Sequence, residues 1–140
     1  MDNTFAPEEM LYRGVFPEKL FSNKGGGISS AAFLTRKGEG ASVDRQSDRE
    51  QEEAIKYAAG HLRGAIVAVS VQDVYDCGGV PLYRPTKNPY HSEIHKDLQG
   101  GGISSSLRKK LAKRAQMVKT PDENDIDSQQ NNLARFSSIG

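Results

Sequence analysis

The chain has few of the features that mark a secreted or membrane-bound protein. Its one cysteine, Cys77, cannot form an internal disulfide and suits a reducing compartment. No apolar run approaches the about 20 residues that a helix needs to cross a bilayer, the longest being residues 65–69. The N-terminus has no basic segment followed by an apolar one, as a secretory signal would have. We therefore expect a cytoplasmic protein without a membrane partner.

The sequence also lacks a strong excess of charge, since the formal net charge of its 140 residues is +1. The hydrophobic share of 36 % and the 14 glycines indicate one lean domain with many turns. Charge is unevenly placed, however, because a basic segment at residues 108–119 is followed by an acidic one from Asp122. We expect a single domain over residues 1–120 and a flexible acidic and polar tail over residues 121–140.

The patterning predicts an α+β fold, a small mixed or antiparallel sheet with about three helices and a disordered C-terminal tail. The continuous β-branched and alanine run at residues 64–69 favours a central strand that is buried on both faces. Residues 41–44 could form a further short strand. The expected strands lie near residues 11–16, 28–34, 64–70, 80–84 and 90–96, and the expected helices near residues 48–59, 71–77 and 106–118.

Helix starts are indicated by serine caps. Residues 47–50 match a capping box, in which a hydroxyl accepts from a backbone N–H and a glutamate reaches back. Ser70 with Asp73 predicts the same arrangement for the second helix. Ser104 or Ser105 is expected to cap the third helix.

A Gly-Gly-Gly-Ile-Ser-Ser run occurs twice, at residues 25–30 and 100–105. Glycines followed by serines expose backbone N–H groups and hydroxyls, which favours an anion site, and the second run also opens a helix. Neither run matches a known nucleotide motif. The alternative is two flexible turns with ordinary serine caps. The candidate ligand-binding residues here are Ser29, Ser30, Ser104 and Ser105.

The basic helix predicted over residues 106–118 could lie on nucleic acid, with Lys109 and Lys110 among its phosphate contacts. No aromatic residue is interleaved among its cations, which argues against base stacking on this helix. The alternative is a solvated helix face.

Three ligand-type side chains alternate along the late strand. His91, Glu93 and His95 project to one side, about 7 Å apart, and imidazoles with a carboxylate are ligands for a divalent transition metal. A further ligand would have to come from His61 or Cys77. The alternatives are the polar side of an edge strand, or His91 acting alone as a general base.

Arginines stand at two expected strand ends. Arg13 and Arg45 could each form a fork for a carboxylate or phosphate group, with Asp44 beside them. The alternative is a structural ion pair between Asp44 and an arginine.

Three segments carry a resemblance that covers about residues 11–118. Ser29-Ser30-Ala31-Ala32-Phe33, Ser42-Val43-Asp44-Arg45 and Asn88-Pro89-Tyr90-His91-Ser92-Glu93-Ile94 resemble a group of short uncharacterised bacterial proteins. The resemblance implies a bacterial origin and a cytoplasmic setting.

A second resemblance is to folds of the ADP-ribosyltransferase type. An early arginine, a serine pair on a later strand and a late glutamate occur there in the order of Arg13, Ser29-Ser30 and Glu93. This chain lacks the full Ser-Thr-Ser and the usual acidic pair. The resemblance implies a nucleotide-processing enzyme with Arg13 and Glu93 in its site.

These observations leave three hypotheses. The first is a protein that binds a phosphate-bearing ligand, a nucleotide or nucleic acid, through the Gly/Ser loops and the basic helix. The second is an enzyme acting on a nucleotide, and the third is a module whose tail meets a protein partner. The enzyme hypothesis depends on one cleft. Its residues would be Arg13, Ser29, Ser30, His91 and Glu93, and Asp44 is expected to line the same cleft.

Overall fold

The computed structural model describes residues 1–20 and 27–121. Over these residues the chain has six β-strands and three α-helices, with two short 3-10 helices at Pro17–Lys19 and Ser30–Phe33. The predicted α+β class is confirmed. The elements in chain order are β1 (Met10–Val15), β2 (Ala41–Arg45), α1 (Gln51–Ala59), β3 (Ala65–Ser70), α2 (Val71–Asp76), β4 (Val80–Tyr83), β5 (His91–His95), α3 (Ser105–Arg114) and β6 (Gln116–Lys119).

The six strands form one antiparallel sheet in the order β4-β5-β2-β1-β3-β6. The further short strand predicted at residues 41–44 is present as β2, and it lies in the interior of the sheet. Tyr12 pairs with Asp44, and Asp44 pairs with His91. Paired residues of antiparallel strands point to the same face. Tyr12, Asp44 and His91 therefore form a row across β1, β2 and β5, which we call the polar row.

The two faces of the sheet have different covers. On the core face, Leu11, Val43, Val67 and Ile94 pack in one cluster with buried residues of α2, α3 and the Ser30–Phe33 helix. On the other face, here called the α1 face, Tyr12 and the alternate residues of β3 pack against buried alanines of α1. Alternation along each strand thus sends neighbouring residues into separate clusters.

The predicted burial of the run at residues 64–69 is confirmed. Residues 65–69 are buried on both faces, and β3 pairs with β1 on one side and β6 on the other. Strand β3 is next to the edge of the sheet and not at its centre as predicted, because only β6 lies beyond it.

The predicted strand at residues 28–34 is wrong. The hydroxyl of Ser29 accepts a hydrogen bond from the N–H of Ala31 at 3.1 Å, and a 3-10 helix follows over Ser30–Phe33. A serine that satisfies a nearby backbone donor offers the chain an alternative to a sheet ladder. Phe33 is nevertheless buried in the core. The apolar pattern therefore predicted burial correctly, but it predicted the wrong type of element.

The predicted capping box at residues 47–50 is also wrong. Ser47 has a φ of 57°, and its N–H donates to Oε2 of Glu9 at 2.8 Å. The helix begins at Gln51, with Glu50 as an N-cap that makes no side-chain cap hydrogen bond. A buried carboxylate from the distant N-terminal segment therefore overrides the local capping signal.

The third predicted helix, residues 106–118, is too long at its C-terminal end. Helix α3 ends at Arg114, Ala115 is extended, and residues 116–119 form β6 against β3. The spacing of Leu111, Ala115 and Val118 imitates a helical stripe. Backbone pairing with the edge of β3 that β1 does not occupy outweighs this local helical preference.

Two predicted caps are confirmed. Ser70 and Asp73 form a complete capping box at α2, and the hydroxyl of Ser104 accepts from the N–H of Leu107 at 3.1 Å at the start of α3. The predicted tail beyond residue 121 and the first two glycines of the first run lie outside the described residues.

Glycine is required at residue 64 by both conformation and space. Gly64 and Gly38 have nearly equal φ angles, 82° and 83°. A Cβ at Gly64 would overlap the carbonyl oxygen of Val15, whereas a Cβ at Gly38 would meet nothing within 4 Å. We expect Gly38→Ala to lower the free energy of unfolding by about 1–2 kcal/mol and Gly64→Ala by at least about 3 kcal/mol. Urea unfolding of both variants measures the difference, and equal losses would contradict the steric argument.

The assignment of the α3 cap to Ser104 gives a second matched pair. Ser104→Ala removes the hydroxyl that accepts from Leu107, so the free energy of unfolding should fall by about 1 kcal/mol. Ser105→Ala should change it by less than about 0.5 kcal/mol. Thermal unfolding compares the two variants. An equal effect would assign the cap to neither serine.

Candidate functional site

A cleft of about 810 Å³ opens at the start of α3. Its walls are the end of the second glycine-serine run, the first turns of α3 and the turn around Gly38. The two loops touch closely, since a Cβ on Gly102 would lie 3.0 Å from the backbone nitrogen of Gly38. We call it the cationic cleft after its charged lining residues, which are Arg36, Lys37, Lys96, Arg108 and Lys110.

The charge in this cleft has one sign. None of its five lining cations forms an ion pair with a described residue, and no carboxylate of the described residues lines it. Arg108 donates to the carbonyl of Ile103 at 3.1 Å, which holds its guanidinium beside the helix start. The N–H groups of the first turn of a helix carry partial positive charge and lack intrahelical partners. The charged side chains and the helix start that line the cleft are therefore all positive.

The first glycine-serine run also meets α3. Ser29 and Ser30 line a depression of about 270 Å³ together with Lys109 and Lys113. Ser29 already caps the Ser30–Phe33 helix, as Ser104 caps α3, so both runs contain the ordinary caps of the alternative interpretation. The structure nonetheless brings the described parts of both runs against one basic helix.

The remaining cations of the basic segment have other roles. Arg114 lies 3.1 Å from Asp73 and 3.4 Å from Asp76 of α2, and the hydrogen bond to Asp73 is the main reason that its pKa is raised. Lys119 lies on β6, away from the helix. Ser105 lies at the first position of α3.

Arg13 is a structural clamp. Its guanidinium donates to the carbonyls of Ala32, Ser42 and Leu34 at 2.7, 2.8 and 3.1 Å. Burial lowers its pKa to about 10, so the side chain remains charged near neutral pH. The predicted fork exists, but backbone carbonyls occupy it.

Arg45 is likewise engaged, with Glu9 and not with Asp44. Its Nε and Nη2 lie 2.8 and 2.9 Å from the Glu9 carboxylate. Nη2 also donates to the carbonyl of Thr4, and Nη1 donates to that of Asp2. The ring of Phe5 stacks 3.9 Å from the guanidinium. This cluster anchors the N-terminal segment on the core.

Asp44 has a different partner. Its buried Oδ2 lies 2.8 Å from Nε2 of His61 in an ion-pair contact without the geometry of a directed hydrogen bond. Asn88 donates to Oδ1 at 3.3 Å. His61 is predicted above only as a possible metal ligand, and Asn88 has no predicted role. Both lie in turns or bends, where local patterning carries no signal for a contact between residues far apart in the sequence.

His91, Glu93 and His95 share one face of β5 as predicted, but they do not converge on a common point. Nδ1 of His91 lies 2.6 Å from the carbonyl of Arg84. The ring of His95 lies 2.8 Å from the carbonyl of Gly101 and 2.8 Å from Glu93. No group of three or more His, Cys, Asp or Glu in the described residues is arranged to hold a metal ion. Backbone carbonyls and a local ion pair use the rings separately, so the geometry gives the predicted metal site no support.

The single cleft expected for the enzyme hypothesis does not form. Arg13 and the helix that follows Ser29 lie on the core face, whereas Asp44 and His91 lie on the α1 face. Ser29 and Ser30 are not on a strand, and Glu93 lies on the face opposite Arg13. The order of residues that resembles ADP-ribosyltransferases therefore does not become a shared site.

Comparison with known proteins adds no assignment, since no protein-family model, curated protein or solved structure matches this chain significantly. Within the described residues, no helix has the length and apolar content that crossing a bilayer requires. The function is therefore inferred from the geometry of the chain itself.

The role of Arg13 as a clamp can be tested against an exposed arginine. We expect Arg13→Gln to lower the free energy of unfolding by about 2 kcal/mol or more, because three carbonyls lose a charged donor. Arg36→Gln, at an exposed position, should change it by less than about 0.5 kcal/mol. Denaturant unfolding measures both. A stable Arg13→Gln protein would remove the structural role.

Proposed function

We propose that this protein binds a phosphate-bearing ligand, a nucleotide or nucleic acid, in the cationic cleft. The carrying observation is the lining itself, in which five cations surround the start of the ten-residue helix α3 and no described carboxylate accompanies them. Like charges held together repel one another, and an anion in their midst removes that repulsion. Such an arrangement is what an anion site requires and what a solvated helix face does not.

The chemistry of the lining favours phosphate over a simple carboxylate. A phosphate group offers several strong acceptor oxygens, which can be shared by ammonium groups, by the Arg108 guanidinium and by first-turn N–H groups of α3. Each hydrogen bond to a charged group contributes about 1.5–3 kcal/mol. Two or three such bonds correspond to a dissociation constant in the millimolar to micromolar range.

Lys109 and Lys113 extend this surface along α3 to the depression at Ser29 and Ser30. A ligand with several phosphates could use both places, whereas a single phosphate would fill only the cleft. No aromatic side chain of the described residues lines either place, so the recognition proposed is of phosphate rather than of a base. A phosphorylated ligand also fits the cytoplasmic location that we propose from the single cysteine.

The test is a titration of the full chain with pyrophosphate and with a short single-stranded oligonucleotide, followed by amide chemical shifts. We expect saturable shifts at residues 102–106. The double variant Lys96→Gln/Lys110→Gln should weaken binding at least about tenfold, since two charged contacts are lost. Lys19→Gln, an exposed lysine outside the cleft, should leave the affinity unchanged.

Two results would contradict the proposal. One is the absence of saturable shifts for either probe at low salt. The other is an equal effect of the cleft variant and Lys19→Gln, which would reveal attraction to net charge only. If an excess of pyrophosphate does not displace the oligonucleotide, nucleic acid is favoured over a nucleotide as the ligand. The dependence of the oligonucleotide affinity on salt concentration would then give the number of phosphates that the protein contacts.

A further inference from the structure

A second and larger pocket, of about 860 Å³, lies beside the C-terminal end of α1. It belongs to the α1 face of the sheet, and none of its lining residues also lines the cationic cleft. Its size falls in the range of pockets that hold small-molecule ligands. We call it the tyrosine pocket after Tyr57 and Tyr90. Its other charged or aromatic lining residues are Arg49, Glu53, Lys56, His61 and Lys87.

The rings of this pocket form a fixed cluster. Tyr57 meets Tyr90 edge to face at 5.1 Å between centroids, and it meets His61 in the same manner at 5.0 Å. The guanidinium of Arg49 stacks 3.5 Å from the Tyr90 centroid. Arg49 donates to the carbonyls of Gln46 and Arg45, which hold this plane in place. Flat surfaces are thus preorganised around the pocket, a geometry that suits a flat ligand.

The charge balance of the pocket favours an anion. Three lining cations, Arg49, Lys56 and Lys87, stand against one carboxylate, Glu53. Neither lysine forms an ion pair with a described residue, although both are exposed at the mouth. An acidic group on a ligand would find charged partners here without displacing an existing pair.

Buried polar side chains lie behind the pocket lining at His61 and Asn88. His61 and Asn88 line the pocket, and both contact the buried Asp44 of the polar row. The two neighbours of Asp44 in that row, Tyr12 and His91, are 1 % and 4 % exposed. The hydroxyl of Tyr12 and Nε2 of His91 are buried without a hydrogen-bond partner among the described residues.

Buried polar atoms are rarely left unpaired in native proteins, because each costs about 1–3 kcal/mol. Nδ1 of His91 faces the carbonyl of Arg84 and donates to it. The row therefore holds a buried imidazole nitrogen and a buried hydroxyl on either side of Asp44, which itself contacts His61 and Asn88 of the pocket lining. A sheet whose role was packing alone would gain stability from apolar residues at these positions.

We propose that the tyrosine pocket is a ligand site for a small planar aromatic anion. The ring of the ligand packs against Tyr57 and Tyr90, and its acidic group meets Lys56 and Lys87. This site is separate from the cationic cleft and does not depend on the proposed phosphate binding. A bare anion would leave the aromatic surfaces unused, and a neutral aromatic compound would leave the lysines unused.

Three matched probes separate these ligand classes. 2-Naphthoate has a flat ring and a charge, cyclohexanecarboxylate has a charge without a flat ring, and 2-naphthol has the flat ring without a charge at neutral pH. Each is titrated into the full chain, and the ring signals of Tyr57 and Tyr90 are followed by NMR. We expect saturable shifts with 2-naphthoate and at least tenfold weaker binding of the other two.

Variants assign the binding to the pocket. Lys56→Gln/Lys87→Gln alters exposed side chains, so the protein should fold, and the affinity for 2-naphthoate should fall at least fivefold. Tyr90→Leu should lower it further, with thermal unfolding measured alongside because Arg49 stacks on this ring. Lys19→Gln is the control and should change nothing.

The proposal is overturned if the three probes bind equally, if 2-naphthoate shifts residues outside the pocket, or if no probe saturates. Unchanged affinity in the folded double lysine variant would also overturn it, because the charged half of the site would then be absent. Loss of oligonucleotide or pyrophosphate binding to the cationic cleft leaves this result unaffected, so the two proposals can fail separately.

Discussion

The clamp formed by Arg13 is the interaction on which the arrangement of the core face depends. One guanidinium on β1 holds a carbonyl of β2 and two carbonyls in and after the Ser30–Phe33 helix. That short helix packs against α3, which lines both the cationic cleft and the depression at Ser29 and Ser30. A segment without ladder hydrogen bonds needs such acceptor contacts to have one position. Arg13 was predicted to bind an anion. It instead fixes the Ser30–Phe33 helix, which lies beside α3, the helix that we propose binds one.

The local signals predicted those elements whose hydrogen bonds are local. Ser70 and Asp73 are three residues apart and complete their own capping box, so helix α2 was predictable from the sequence. Residues 47–50 carry the same pattern, yet Glu9 takes the backbone N–H of Ser47 from far along the chain. Residues 116–119 become a strand because β3 offers a pairing edge. The failures at residues 47–50 and 116–119 are places where a distant partner outweighs a local preference of a few tenths of a kcal/mol to about 1 kcal/mol. The failure at residues 28–34 has a local cause, because the hydroxyl of Ser29 accepts from the N–H of Ala31.

The candidate sites show the same division. The basic helix and the second glycine-serine run adjoin in sequence, and their association at α3 was predictable. The contributions of Arg36 and Lys96 were not, because a turn after the 3-10 helix and the end of β5 bring them in. Tyr57 and Tyr90 lie far apart in the chain and contact only in the fold. Spacing along the sequence identifies groups on one element, whereas groups that tertiary packing brings together are far apart in the sequence.

That register also explains why the polar row is more than a structural detail. Asp44 is 1 % exposed, and the nearest described partner of its Oδ2 is the exposed imidazole of His61 at 2.8 Å. Desolvating a carboxylate costs several kcal/mol, which one such partner offsets incompletely. Tyr12 and His91 add buried polar atoms on either side of it. Residues 65–69 of β3 are apolar and buried on both faces, so the chain can supply apolar residues where stability alone is needed. A destabilising row placed under the lining of a preorganised aromatic pocket is the arrangement expected when a site, rather than a core, determines the residues.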